Sequence, residues 1–291
     1  MKTNRFLFCL IACMFLLVSC KEELDMTTLQ KSLFEGTSFD EITIDDAWNV
    51  TIVNGLYDPD QGENKKGVVL SYSAFLEPYI KAKKEGTAFE LGFTNKLNLP
   101  YNTVMEATIF VESIKSLSLD NASTVQFRGG FLSGNTLALT LDNASVMRGG
   151  KFYAKETSIH LDNASTIVES FITGNKSHFN LDHASVFKGP LCTNNVLGIE
   201  MDNSSRLTVS ESGTAYVRIS MDNGCYLNML PNSVTKVDLD LDNASEASVN
   251  VISLLKGKIR NASTLYYQFL NTILDPVLDV ECDETSSCVP L

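Results

Sequence analysis

The chain has 291 residues, 44% of them hydrophobic and 20% charged, a globular balance that excludes a disordered chain. Its 23 Lys and Arg face 35 Asp and Glu, a formal net charge of -12. That charge removes the driving force nucleic-acid binders rely on, so no nucleic acid is expected as a partner.

Lys2 and Arg5 precede an apolar run from Phe6 to Val18, the pattern of an export signal. About 13 apolar residues fall short of the roughly 20 that span a bilayer as a helix. The run ends in Leu17, Val18, Ser19 and Cys20, which resembles a bacterial lipobox. That resemblance implies a signal peptide over 1-19, lipid attachment at Cys20 and a lipid-anchored tether over 20-36. Lys21, Glu22 and Glu23 follow with no Asp after the cysteine, which is similar to outer membrane sorting in Gram-negative lipoproteins. The expectation is an outer membrane lipoprotein exposed at the cell surface, whose membrane partner is held by acyl chains rather than by net charge.

Residues 37 to 110 read as strand pairs with turns, with a hairpin tip at Glu85 and Gly86. Beyond them the tetrad DNAS, or a near copy, begins at Asp120, Asp142, Asp162, Asp182, Asp202, Asp222 and Asp242, with five intervals of 20 residues after one of 22. Degenerate copies stand at Arg260 and far upstream at Asp45. Apolar residues recur one and three positions before each tetrad start and five after it, as in Leu161, Ile159 and Ile167. Alternation gives a strand with one buried face, and the return every 20 residues stacks one turn of chain on the last. A helix pair needs a longer repeat, and a leucine-rich repeat spaces Leu and Asn differently. The prediction is an all-β, right-handed parallel β-helix of about nine coils with an N-terminal strand and hairpin region. Gly129 and Gly130, Gly149 and Gly150, Gly189 and Pro190, and Pro231 and Asn232 mark a second turn in the coil.

The opening FDEI…NVTI, the hairpin and the transition IFVESIKSLSLDNAS into the array resemble the auto-transporter adhesin head GIN domain family over about residues 37 to 270. Members often carry Ser and Gly at the tetrad, where this chain carries DNAS. The resemblance implies a β-helical GIN-like domain over 37-270 and a bacterial envelope location.

The tetrad carboxylates invite a glycosidase reading, but general acid and base must differ in environment, and a ladder of like residues gives no such difference. Asp is instead expected to accept N–H groups two or three residues on, with Asn amides stacked on one another. The column Asp120 to Asp242 is thus a structural turn ladder with a candidate weak cation contact. His160, His178 and His183 fall on consecutive coils but are read as surface polarity, so no metal or cofactor site and no catalytic residue is assigned. The sequons starting at Asn49, Asn121, Asn143 and their repeats are explained by turn packing. Trp48, in place of the tetrad Ser, is expected to cap the open bottom of the barrel rather than stack on a sugar. Cys192 and Cys225 read as lone buried thiols, and Cys282 and Cys288 as a disulfide stapling a tail over 271-291. No nucleophile elbow, zinc-protease motif or phosphate loop is present in the sequence. The expected function is that of a non-enzymatic surface adhesin or ligand-binding scaffold for an extracellular glycan or protein. A polysaccharide-degrading enzyme and a passive spacer are the alternatives.

Overall fold

The computed structural model describes residues 24–54, 66–210, 213–270 and 275–291. The expected signal peptide and Cys20 lie outside them. The N-terminal part holds β1 (Thr28–Leu33), β2 (Glu41–Ile44), β3 (Asn49–Asn54), β4 (Gly67–Ser73), a 3-10 stretch Ala74–Tyr79, β5 (Ile80–Glu85), β6 (Ala88–Phe93) and β7 (Met105–Val111). Strands before and after each tetrad then alternate: β8 (Ser116–Leu119) and β9 (Thr124–Arg128), β10 (Phe131–Leu141) and β11 (Val146–Arg148), β12 (Lys151–Leu161) and β13 (Thr166–Val168). The pattern continues in β14 (Phe171–Leu181) and β15 (Val186–Gly189), β16 (Leu191–Met201) and β17 (Arg206–Val209), and β18 (Gly213–Met221). The long β19 (Tyr226–Leu241) and β20 (Glu246–Ile259) each run from one tetrad to the next, and β21 (Thr264–Phe269), β22 (Val277–Cys282) and β23 (Ser287–Pro290) end the stack.

Every coil from β8 onward pairs in parallel with the next, so sequence period becomes spatial column. Ile159 lies over Leu139 and under Phe179, and Ile167 over Met147 and under Phe187. These inward residues are fully buried. Burying each contributes roughly 1.5–3 kcal/mol, and parallel stacking makes every coil depend on its neighbours for that gain. The result is a β-solenoid of about eight turns of roughly 20 residues. The expected ninth counted the Asp45 copy, which lies directly beneath the Asp120 turn but is reached by a different route.

Each coil has three straight runs. The strand after the tetrad forms a first face and ends at the glycine turn. The long strand that follows carries two consecutive exposed residues, such as Lys155 and Glu156, that break its alternation and divide it into a second and a third face.

Below the first coil, β6 runs parallel to β2 with Leu91 opposite Ile44, and β7 runs parallel to β3 with Ile109 opposite Ile52. The hairpin strand β5 and the antiparallel β4 and β1 add further layers. This corrects two expectations. The tether over 20-36 includes β1, which is part of the sheet. Trp48 does have a lower neighbour: it is fully buried, with its ring 5.9 Å from that of Phe93, so it fills the core between layers instead of capping an open end.

The tail expected over 271-291 is, in its described part, one more coil. β22 pairs with β20 and β23 with β21, Asp283 to Ser286 form a degenerate tetrad, and Cys282 and Cys288 stand over the inward Ile259 and Leu265. Both are free thiols in this structure, close enough to share a hydrogen bond, and burial pushes Cys288 up to about 11. Cys225 is buried as expected and is likewise pushed up to about 11, which makes it an inert thiol. The side chain of Cys192 lies outside the described residues.

The fourth tetrad residue points inward. Ser123, Ser145, Ser165, Ser185 and Ser205 are fully buried with hydroxyls that find no partner, and Cys225 occupies the same column. An unpaired buried hydroxyl costs about 1–3 kcal/mol. Ser165→Ala is therefore expected to be neutral or to stabilise by up to about 1 kcal/mol in urea unfolding. A loss above that size would mean the hydroxyl is bonded.

Candidate functional site

The tetrads form one continuous ladder. Asn121 and Ala122 have φ of 50° and 61°, the pair recurs at Asn143 and Ala144 and at Asn163 and Ala164, and the N–H of Ser123 bonds the Asp120 carbonyl at 3.2 Å. Two left-handed residues inside such a bond define a type I′ turn, which Asn tolerates well. Coil six carries Gly224 at the second left-handed position, φ 72°, where the other coils carry Ala or Ser.

The carboxylates bond differently from the expectation. Asp120 Oδ1 accepts the N–H of the very next residue, Asn121, at 2.6 Å, and the Nδ2 amide of Asn143 from the coil above at 2.6 Å. The same double bond recurs at Asp142, Asp182, Asp202 and Asp222. Because the backbone bond already closes the turn, the carboxylate is free to clamp the next coil. Asn therefore bonds Asp rather than stacking on Asn. The column is hydrogen-bonded and about a quarter solvent-exposed, with Asp162 at 26% and Asp242 at 25%, which disperses its charge.

His183 replaces Asn in one rung. Its Nδ1 lies 2.7 Å from Asp162 Oδ1 and 3.3 Å from Asp182 Oδ2. The ligand atoms of these three residues fall within 4.8 Å of one another. Two carboxylate oxygens and one imidazole nitrogen, already engaged in the rung, fall short of the six or more oxygens a calcium ion takes. The hydrogen bond to Asp162, then the charges of Asp182, Asp162 and Asp202, raise His183 above the ordinary 6.5. A raised value contributes stability that is complete below pH 6.5 and is lost as pH rises through the folded value. Proton NMR is expected to show His183 titrating above 6.5, and His183→Asn should remove that loss of stability. A variant melting with unchanged pH dependence would show that the rung does not sense the charge.

Within the ladder, Asp182→Asn keeps an acceptor and should change stability by less than about 0.5 kcal/mol, whereas Asp182→Leu strips two bonds and should cost about 1–2 kcal/mol in urea unfolding. Equal losses would mean that charge, not the bonds, matters.

His160 and His178 are not gathered with His183. They stand on the third face, with His160 opposite Asn180 and His178 opposite Ser158, a diagonal offset. His178 lies instead beside Gly198, where a Cβ would come 2.8 Å from its Nδ1, and its Nε2 is 3.8 Å from Glu200.

This third face holds a groove of about 820 Å3. Ala138, Ser158, Gly198 and Ser220 form its low floor. Glu156 and Lys176, 3.9 Å apart, wall one side, and His178, Glu200, Tyr216 and Arg218 rise around the rest. Arg218 packs 5.9 Å from the Tyr216 ring, whose hydroxyl reaches Asp238 at 3.1 Å. Donors and acceptors of both charges thus surround a shelf of small residues, an arrangement suited to a polar, hydroxyl-rich or amide-bearing ligand. Sequence reasoning passed over it because outward residues carry no period. The readable signal was a single outward column, Ala138, Ser158, His178, Gly198 and Arg218, in which small residues alternate with His178 and end at Arg218.

No protein-family model matches the chain, and no curated protein matches it in sequence. Solved structures do share its fold. A "putative adhesin" from Parabacteroides merdae ATCC 43184 superposes with a TM-score of 0.62 at 10% identity, over 93% of this chain and 97% of that one. A "putative adhesin" from Parabacteroides distasonis ATCC 8503 gives 0.62 at 11%, over 91% and 98%. A "putative lipid binding protein" from the same strain gives 0.58 at 11%, over 92% and 98%. At these identities the likeness is one of fold, and it is the fold expected from the resemblance.

Proposed function

We propose that the chain is a non-enzymatic envelope lipoprotein, displayed on the outer membrane at the cell surface, that acts as an adhesin or ligand-binding scaffold. The groove of the third face carries this reading: it is a preformed shelf of small residues rimmed by charged and hydrogen-bonding side chains. The ladder supports the non-enzymatic part, since its carboxylates repeat the same two bonds from coil to coil, with His183 in place of Asn above Asp162 as the exception among the tetrads. The description of two fold relatives as adhesins points the same way. Attachment to the membrane is through the acyl chains proposed at Cys20. In that oxidising compartment Cys282 and Cys288 would form a disulfide closing the last coil.

The test is a glycan and matrix-protein panel screened with the chain from Lys21, which keeps every strand. Binding by this protein, weakened at least tenfold in Tyr216→Ala with Arg218→Ala, is the expected result. Undiminished binding would move the site elsewhere. Turnover of a polysaccharide that stops on changing one ladder Asp would establish the enzyme instead. Cys20→Ser should release the protein from membranes, and unchanged acyl labelling in that variant would refute the anchor.

A further inference from the structure

The charge of this protein is unevenly placed. Overall Asp and Glu outnumber Lys and Arg by 35 to 23. At the corner between the first and second faces the balance reverses: residues 126–133, 146–153, 166–173 and 186–193 carry the cations Arg128, Arg148, Lys151 and Lys188 against one carboxylate, Glu169. All four cations are exposed, and among the described residues none stands in an ion pair. Several cations elsewhere are paired, as in Lys256 with Asp238 at 2.9 Å and Arg260 with Asp240 at 2.7 Å.

Exposed rings accompany these charges. Phe131 and Tyr153 are 54% and 49% exposed on a protein whose other Phe side chains are mostly in the core. Phe131, Lys151 and Phe171 stand in one column on successive coils. The two Phe rings meet edge to face at 5.8 Å, and Lys151 Nζ lies 5.7 Å from the Phe131 ring. Phe offers no hydrogen bond to a sugar or peptide, whereas at a bilayer surface such rings enter the headgroup boundary while Lys and Arg meet the phosphates. The corner is convex, a shape that meets a flat surface and does not enfold a chain.

We infer that this basic and aromatic corner is a docking surface for a bilayer bearing anionic phospholipid headgroups. The net charge of the protein opposes such contact, and the local distribution overcomes it within a Debye length of about 8 Å. In a coil of three runs the corner between the first two faces is opposite the third, so docking turns the groove of the third face away from the membrane. The inference does not require the adhesin reading, since it concerns a different surface.

Flotation of the non-acylated chain from Lys21 with vesicles tests it. The probes are phosphatidylcholine alone and phosphatidylcholine with roughly a third phosphatidylglycerol. Binding is expected only to the anionic vesicles, and the triple variant R148E, K151E, K188E should weaken it about 100-fold. Phe131→Ser with Tyr153→Ser should weaken it about tenfold at unchanged charge. K256E with K258E, on the third face, should leave flotation intact. Unchanged melting curves would show that these exposed substitutions spare the fold. Equal flotation with neutral vesicles, no flotation, or an indifferent triple variant would overturn the inference. So would binding of heparin through the same cations without flotation, which would assign the corner to an anionic glycan. Panel binding through Tyr216 and Arg218 should survive the triple variant, so failure of either proposal can be told from failure of the other.

Discussion

Gly257→Ala should cost roughly 3 kcal/mol or more and free the last coils while the central ones remain folded. Gly257 occupies an inward column between Leu239 and Val280, where every other coil carries an apolar side chain. Its φ is 147°, a conformation that side chains of L residues rarely adopt, and a Cβ would stand 1.8 Å from the Leu239 carbonyl oxygen and 2.9 Å from the Leu239 nitrogen. Those neighbours are backbone atoms of the coil below, so relief requires the two coils to part. Gly213, with nothing within 4 Å of its Cβ position and an ordinary φ, is the control, and Gly213→Ala should stay within about 0.5 kcal/mol. Urea unfolding with hydrogen exchange of β20 to β23 reads both. A loss below about 1 kcal/mol at Gly257 would mean that the coils yield far more easily than their packing implies.

Phe187→Ala should cost about 3–5 kcal/mol. The ring is fully buried and meets Phe179 edge to face at 4.9 Å in the middle of the stack. Coils above and below are tied by parallel ladders on either side of the cavity, so the void cannot close by a local shift. Phe187→Leu, which Leu207 one coil higher already represents, should recover much of the loss. If the Ala and Leu variants unfold at the same urea concentration, the core of this coil is plastic and the ring pair adds nothing specific.

Parallel in-register stacking explains what could be read from the residues. Such stacking demands the same inward positions in each coil, so Ile159, Phe179 and Ile199 announce a column before any coordinates exist. The turn ladder was legible for the same reason, though its bonds were not. Which N–H an Asp accepts depends on the two left-handed residues after it, and Asn followed by Ala does not advertise that conformation as Asn followed by Gly would. The N-terminal layers escaped because β6 and β7 stack beneath strands that precede them in the chain, leaving no period. The last coil escaped because Asp283-Glu284-Thr285-Ser286 keeps only the first and last residues of the tetrad and comes 23 residues after Arg260. Its cysteines looked like a staple on a loose end, yet they occupy the places of Ile259 and Leu265. The groove and the basic corner lie on outward positions, which stacking leaves free to vary.

The clamp from each Asp to the Asn of the following coil has a consequence for the length of the molecule. It refers only to the neighbour above and below, so a whole graduation can be removed or added without disturbing the register of the rest. Deleting 163–182 would leave His183 directly after Asp162 and hand its ring to Asp142, in the place Asn163 now holds. The protein is in this sense a ruler, its height adjustable in increments of about 4.8 Å, the spacing of paired strands, while its two ends keep their own surfaces.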